Sequence, residues 1–535
     1  MKSSNIDDLL DNLGKPGKLQ SLSFLCLCAN LWIVMTNHMA SVFFNAKTDH
    51  WCKINGNGSS GVRHLVTKSE HIHACYVSIG NNSDKAECSE WTYDLPEGEK
   101  TVVSEFDLVC DDAYKSDLTT TIYFAGVMIG GVVFGMLADK YGRKRIVILT
   151  LLLSGIVGVA IFLLRYYAAY IVLRFFLGFF MQGIQNSSFI LALEILSMKY
   201  RSTGGIIFLL SGGIGMLFLD FLAYVLKDWS YVQLTTSLLP FLHLVAIWHI
   251  PESLRWNIVH KKLGKVEAII KRTATFNKLP FPRKLFEEIK SDDLNEKCVQ
   301  HKPKGNVIDV FKSPKLRKIS LILSLAWFTF SAGYYGLAFH ISFLFGDKYL
   351  NFALSTILDA IIGSNLLWII PRYGRRRPMT ILFFVSAVAN AVCSIMSLES
   401  VTGSVKFVGT AMAIIGKASI ASSIAIGYIY ASEIYPTVVR NVGLGMNTFW
   451  TRLGGMAAPQ IFFLGIHTSP FVPYTILSVL CLMNGFFTLL LPETGNQGLK
   501  DRMEVSMTSL MEKENGVISK PDSDIKRVEC YETAI

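Results

Sequence analysis

Twelve runs of mostly apolar residues leave this chain few ways to fold, because each is about 20 residues long, enough to carry a helix across the roughly 30 Å hydrocarbon core of a bilayer. In lipid a helix satisfies every backbone N–H and C=O within its own segment. The runs fall at 20–43, 117–138, 146–164, 168–193, 204–225, 231–250, 319–341, 351–370, 378–397, 404–431, 442–464 and 471–491. Half of the 535 residues are hydrophobic and only 17% are charged, a balance foreign to a soluble chain of this length. The first run follows a polar lead-in and has no small-residue cleavage site, so it reads as a span and not as a removed leader.

Basic residues crowd alternate links and set the orientation. Lys140, Arg143, Lys144 and Arg145 occupy 139–145, and Arg372, Arg375, Arg376 and Arg377 occupy 371–378. Residues 251–318 hold 17 Lys or Arg against 8 Asp or Glu, whereas residues 45–116 hold 12 acids against 7 bases. Both termini are therefore expected in the cytosol. The expected order is a cytosolic N-terminus at 1–19, a first six-helix half at 20–250, a cytosolic loop at 251–318, a second half at 319–491 and a cytosolic tail at 492–535. The net charge of +10 then reflects topology and gives no reason to expect a nucleic-acid partner.

Residues 45–116 become an extracellular loop. Cys52, Cys75, Cys88 and Cys110 lie in it, and in an oxidising compartment four cysteines read as two disulfides with three pairings open. Asn57 and Asn81 head glycosylation sequons on the same loop. The remaining cysteines show no metal-ligand spacing. On the cytosolic side, residues 256–273 read as one amphipathic helix under the bundle, with Ile258, Leu263, Val266 and Ile270 on one side. The polar tail reads as disordered.

The two halves repeat one another. Gly142-Arg143-Lys144 returns 232 positions later as Gly374-Arg375-Arg376, and Glu194 and Arg201 return 239 positions later as Glu433 and Arg440. Pro251-Glu252 returns as Pro492-Glu493 after 241 positions. Parallel repeats in a membrane bundle are the architecture of alternating-access transporters, which bind solute where the halves meet. No GxxxxGK[ST] phosphate loop, HExxH or GxSxG motif occurs, so neither ATP-driven transport nor membrane hydrolase chemistry is expected.

The segments CSEWTYDLP (88–96), TVVSEFDLVCDD (101–112), GMLADKYGRKR, PESLRW, ASEIYPTVVRNVGLG (431–445) and LPETGNQGL (491–499) resemble the organic cation, carnitine and organic anion transporters of the major facilitator superfamily. The resemblance runs in one register over about residues 15–500. It implies the major facilitator fold, with twelve transmembrane helices in two pseudo-symmetric six-helix halves, a plasma-membrane location and small organic ions as substrates. Pro371 stands where the second-half link of the family carries an acid, and Leu367 where it carries a glycine.

Two groups of charged residues are candidates for function. At the cytosolic ends, Asp139, Arg143, Glu194, Arg201, Glu433 and Arg440 are expected to form a network that breaks when the halves rock apart, since topology alone needs no acids. Gly130, Gly131 and Gly135 are expected to let the second span approach a neighbour closely. Within the bilayer, Asp359, Lys417 and Arg452 sit near the centres of the eighth, tenth and eleventh spans. A charge there costs about 2.5–3.5 kcal/mol on insertion scales, so the three must face one another or a wet cavity. One acid pairs with one cation and leaves a cation for an anionic substrate group.

The resemblance sharpens this reading. Asp359 stands at the family's acidic eighth-span position, Lys417 (IIGKAS) and Arg452 (TRLGG) match carnitine and organic anion members, and Gly363 replaces a lysine common in anion members. The combination lies closest to the carnitine-type branch. The softer wall is expected from Gln182, Gln185 and Phe189 in the fourth span and Trp327 and Tyr335 in the seventh, aromatic faces being able to hold a quaternary ammonium. His38, His243 and His249 read as structural, and Arg174 and Asp220 as helix packing.

The expected function is secondary transport, by alternating access, of organic cations or zwitterions such as carnitine. Organic anions are the alternative, and a non-transporting solute sensor on the same fold is the reading from another class. Na⁺ or H⁺ are candidate coupling ions, and no cofactor or metal is expected. The last residues, Glu532-Thr533-Ala534-Ile535, fit strand addition to a PDZ domain.

Overall fold

Every apolar run falls on a helix. The computed structural model describes residues 3–14, 16–46, 48–52, 75–78, 85–88, 90–295, 307–341, 346–398, 405–435 and 439–494. The spans are α2 (Lys18–Met39, extended by α3, Ser41–Phe44), α5 (Tyr114–Tyr141), α6 (Arg143–Leu163), α7 (Tyr167–Ile195), α8 (Met198–Leu226) and α9 (Trp229–Trp248) in the first half. In the second they are α14 (Pro314–His340), α15 (Lys348–Tyr373), α16 (Arg376–Met396), α17 (Lys406–Ile434), α18 (Arg440–His467) and α19 (Val472–Leu489). By composition 10 of these cross a membrane without difficulty. Of the other two, α18 is the least apolar of the spans and carries Arg452, while α15 carries Asp359.

The duplication seen in the sequence reappears in the packing. In the first half α2 packs on α8, α5 on α7, α6 on α7 and α6 on α9. In the second, α14 packs on α18, α15 on α17, α16 on α17 and α16 on α19, the same partners in the same order. The halves meet through α5 against α18 and α8 against α15. Close approach of α5 to α7 depends on Gly130, where a Cβ would lie 3.0 Å from Phe179 Cα. Gly131 and Gly135 do not share that role: a Cβ on Gly131 would sit 3.5 Å from the Gln182 side chain, and one on Gly135 would meet nothing within 4 Å.

One face of the bundle carries the basic links and the other the long first loop, so they are called here the basic face and the loop face. On the loop face β1 (His50–Cys52) pairs antiparallel with β4 (Trp91–Tyr93), and β2 (Tyr76–Ser78) with β3 (Lys85–Glu87). The disulfides are Cys52–Cys88 and Cys75–Cys110, with Cα separations of 5.6 and 5.7 Å. Asn57 and Asn81 lie outside the described residues, as does the tail with Glu532–Ile535. The stem of the loop belongs to the first half: Lys100 N–H donates to Lys227 O and Trp229 N–H to Lys100 O, both at 3.2 Å. Val102 and Val103 of α4 (Val102–Glu105) are buried in the first-half core.

The basic face holds two departures from the sequence reading. The single amphipathic helix expected over 256–273 is two, α10 (Leu254–Val259) and α11 (Leu263–Asn277), because Lys261 takes a left-handed φ of 54° and turns the chain between them. Ile258, Val266 and Ile270 still share one apolar cluster, and α12 (Arg283–Asn295) adds Phe286 to it. The N-terminal segment also folds, as α1 (Ser3–Asn12), with Leu9, Leu10 and Leu13 at 0%, 3% and 0% exposure against Leu254, Ile258, Val266 and Ile270. A short α13 (Val307–Lys312) leads into α14.

Candidate substrate site and gating clusters

The repeated sequence landmarks meet in space at the basic face. In the first half the chain turns between α5 and α6 at Gly142, whose φ of 110° is unfavourable for any residue with a Cβ. Glu252, beyond the end of α9, accepts from Lys144 N–H at 3.0 Å and so caps the start of α6. A Cβ on Gly142 would stand 2.6 Å from Glu252 Oε2. Arg143 reaches Glu194 of α7 (3.4 Å) and Asp139 of α5 (2.9 Å).

The second half repeats the knot. Gly374 has φ 79°, and Glu493 accepts from Arg375 N–H (2.9 Å) and Arg376 N–H (3.2 Å). Arg375 pairs with Glu433 at 2.8 Å, and the Thr494 hydroxyl donates to the other Glu433 oxygen at 2.7 Å. A carboxylate at a helix N-terminus satisfies orphan amides and meets the positive end of the dipole. Pro371, in the last turn of α15, leaves the second half without a counterpart of Asp139.

Arg201 takes an unforeseen partner. It does not pair with Asp139 across the face; Asp7 of α1 accepts from Arg201 (3.3 Å), from Arg255 (2.5 Å) and from Met198 N–H (3.0 Å) on one oxygen. The sequence signal for α1 was the spacing of Leu9, Leu10 and Leu13 beside Asp7. The side chain of Arg440, at the start of α18, lies outside the described residues.

At mid-depth Asp359 and Lys417 face each other. Lys417 Nζ donates to Asp359 Oδ2 at 2.6 Å and to Ser355 Oγ at 2.7 Å, and it lies 4.8 Å from the centre of the Tyr334 ring. Lys417 is 1% exposed, and the pair cancels. Among the described residues Arg452 has no ion pair, and its Nε has no hydrogen-bond partner. It lies within hydrogen-bonding reach of Tyr335 and close to Tyr428, Tyr123 and His38. His38 is bound to the Tyr123 hydroxyl at 2.6 Å, with Gln185 beside it. The centre of the described residues therefore holds one guanidinium without an ion pair, ringed by phenols.

The other expected wall residues divide. Gln182 donates to Asn186 at 2.5 Å while its Oε1, like Gln185 Oε1, is buried without a partner. Those two acceptors stand ready for a donor. Phe189 instead packs on Phe208 (5.4 Å between ring centres) inside the first half. Trp327 is buried at 1% exposure behind Tyr428 (4.5 Å) and against Phe330, so its part is packing. The sequence reads His38 as structural and gives no sign of Tyr123, since nothing in one sequence shows that two polar side chains on separate helices touch. His243 bonds Cys26 O at 3.2 Å and His249 bonds Val245 O at 2.8 Å, both structural contacts.

Contacts between the halves gather on the loop side of this centre. Gln460 donates to Thr121 at 2.9 Å, Phe124 packs on Tyr335 at 4.6 Å, and Tyr349 stacks on Phe43 at 5.5 Å. The ion pairs Asp139–Arg143, Arg143–Glu194 and Arg375–Glu433, at the basic face, each stay within one half.

Two pseudo-symmetric six-helix halves around a charged, partly unpaired centre define a transporter of the major facilitator fold. The chain belongs to the sugar (and other) transporter family, which it matches over residues 70–505, and within it to the organic cation, carnitine and organic anion transporters. It is 30% identical to the organic cation transporter protein of Drosophila melanogaster (93% of this chain, 94% of the relative). It is 31% identical to organic anion transporter 3 of Sus scrofa (95% and 94%) and 28% identical to human organic cation/carnitine transporter 2 (93% of both). Among solved structures, the inward-open xylose transporter XylE from E. coli superposes with a TM-score of 0.62 over 90% of this chain and 99% of that one, at 14% identity. That likeness is one of fold. The protein is a multi-pass membrane transporter.

Proposed function

We propose that this transporter carries small organic ions bearing a carboxylate, foremost zwitterions with a quaternary or other cationic amine such as carnitine, across the plasma membrane by alternating access. The observation that carries the reading is Arg452, a central guanidinium that Asp359 does not neutralise because Asp359 is engaged by Lys417. A guanidinium binds a carboxylate through two parallel hydrogen bonds, with fixed charge and fixed geometry. Tyr335, Tyr334, Tyr123 and the free amide oxygens of Gln182 and Gln185 then accommodate the cationic end. Relatives named for organic cations, organic anions and carnitine support this range of ligands. Organic anions are the second reading, favoured by the same spare charge.

The basic links support cytosolic termini, so the basic face is cytosolic. With cross-half contacts on the loop side and the basic-face ion pairs confined within halves, the conformation described is inward-facing. In this reading Asp139, Arg143, Glu194, Arg201, Glu433 and Arg440 re-pair across the halves when the inner face closes. Na⁺ or H⁺ coupling, exchange and the membrane potential are the candidate driving forces, and the tail Glu532-Thr533-Ala534-Ile535 is a candidate ligand for a PDZ domain.

Counterflow in proteoliposomes with labelled carnitine, quaternary amines and carboxylates tests the reading. Saturable binding without accelerated exchange would favour a sensor over a carrier. Arg452→Lys is expected to lower carboxylate uptake about tenfold or more, roughly the 1.4 kcal/mol of one charge-assisted hydrogen bond. Uptake of a carboxylate-free cation that is best of the panel and survives Arg452→Ala would overturn the assignment.

A further inference from the structure

We propose that Glu99 is a gating residue of the transport cycle: from the stem of the loop-face domain it latches the second half to the first through Lys348. Glu99 sits just before α4, in the stem whose backbone is bonded to Lys227 and Trp229 of the first half. Its side chain is 6% exposed and is ion-paired with Lys348, the first residue of α15 in the second half. The loop domain is therefore more than a cover. Its stem is an extension of one half that reaches over and holds the other.

The neighbouring contacts make this a single closure. Lys348 Nζ lies 5.1 Å from the ring centre of Tyr349. That ring stacks on Phe43 (5.5 Å) and meets Tyr224 edge-on (5.4 Å), both residues of the first half. Phe43 also packs on Phe352 at 5.3 Å, one turn further along α15. Asp347 caps the same helix by accepting from Leu350 N–H at 2.8 Å, which fixes the direction in which Lys348 leaves it. Any opening of the loop face must draw α15 away from α8 and the stem. That motion pulls Tyr349 out of its aromatic slot and strips a buried carboxylate of its cation, and such a carboxylate does not stay buried alone. Glu99 thus acts through Lys348 to set the ratio of inward- to outward-facing protein, without touching the ligand.

The inference rests on the alternating-access reading, and its test is chosen to fail separately from it. In the full-length protein in liposomes, a Thr121→Cys reporter lies in the seam between the halves, where Thr121 is bonded to Gln460 and Met456 O. Its rate of modification by a membrane-impermeant thiol reagent from the loop side reads opening of that face, with no substrate present. Glu99→Gln and Lys348→Gln are each expected to raise that rate about tenfold, the equivalent of one charge-assisted pair. The exchange variant Glu99→Lys/Lys348→Glu, which restores the pair, is expected to return it toward the parent value, a recovery that general misfolding would not give. Unchanged labelling in both single variants, or an exchange variant that labels as fast as either, would overturn the proposal. Counterflow on the same liposomes separates the two ideas: intact counterflow with unmoved labelling sinks the latch alone, whereas shifted labelling without counterflow keeps the latch and sinks the carrier.

Discussion

Replacing Asp359 by Asn keeps the shape of the side chain and removes one charge from the centre of the protein. Lys417 then keeps only Ser355 Oγ and the face of Tyr334, at 1% exposure. Removing one partner of a buried pair typically costs about 3–5 kcal/mol, because the remaining charge is stranded. The charge seen by a ligand rises from that of Arg452 alone to that of Arg452 and Lys417 together. For a unit charge about 7 Å away, at an effective dielectric constant of about 20, this is roughly 2 kcal/mol, or about thirtyfold in affinity. Cations and the cationic end of zwitterions are expected to lose that much, while simple organic anions hold their uptake or gain. The assay is competitive uptake of one labelled cation, one zwitterion and one anion, with thermal inactivation in detergent measured alongside. The double variant Asp359→Asn/Lys417→Gln should recover most of the lost stability and return the cation-to-anion ratio toward the parent. If Asp359→Asn left that ratio unchanged, the pair would not be part of the ligand's surroundings and the electrostatic account of the centre would be wrong.

Three further outcomes are expected. Gly374→Ala forces a Cβ into a turn at φ 79° and to 2.7 Å from the Glu493 carboxyl, so thermal stability should fall by about 1–3 kcal/mol, as judged by the detergent inactivation midpoint, whereas Gly445→Ala, where a Cβ meets nothing within 4 Å, should not lower it. Asp7→Asn weakens the clamp on Arg201 and Arg255 and should cost on the order of 1–3 kcal/mol in the same assay while the order of preferred substrates is retained; a changed order would show that α1 reaches the ligand site. Non-reducing peptide mapping should recover Cys52 joined to Cys88 and Cys75 joined to Cys110, and any crossed pair would contradict the loop-face architecture.

What a single sequence revealed and what it hid follow from the range of the forces involved. Length and apolarity are local, so all twelve spans could be read, including α18, which the burden of Arg452 makes the least apolar. The repeats were visible because turn glycines and capping carboxylates must recur wherever the same turn recurs. Which acid takes which cation was not visible: Asp7 lies nearly 200 residues from Arg201, and only the docking of Leu9, Leu10 and Leu13 on α10 and α11 brings it there. The pairing of the four loop cysteines was equally hidden, since three arrangements satisfy the same count. Helix and residue type point Phe189 and Trp327 to the wall, but the facing of a ring is decided by its neighbours, Phe208 in one case and Tyr428 in the other.

The two carboxylate caps have a consequence for how such a protein can be assembled. Glu252 follows the last helix of the first half and ties it to the turn between the second and third, and Glu493 does the same for the second half. Each half therefore fastens its own end to its own beginning, and among the described residues the connecting chain from 261 to 313 contributes to neither fastening. Two polypeptides cut within that connection and produced together carry every residue of both knots. They should find one another through α5 with α18 and α8 with α15.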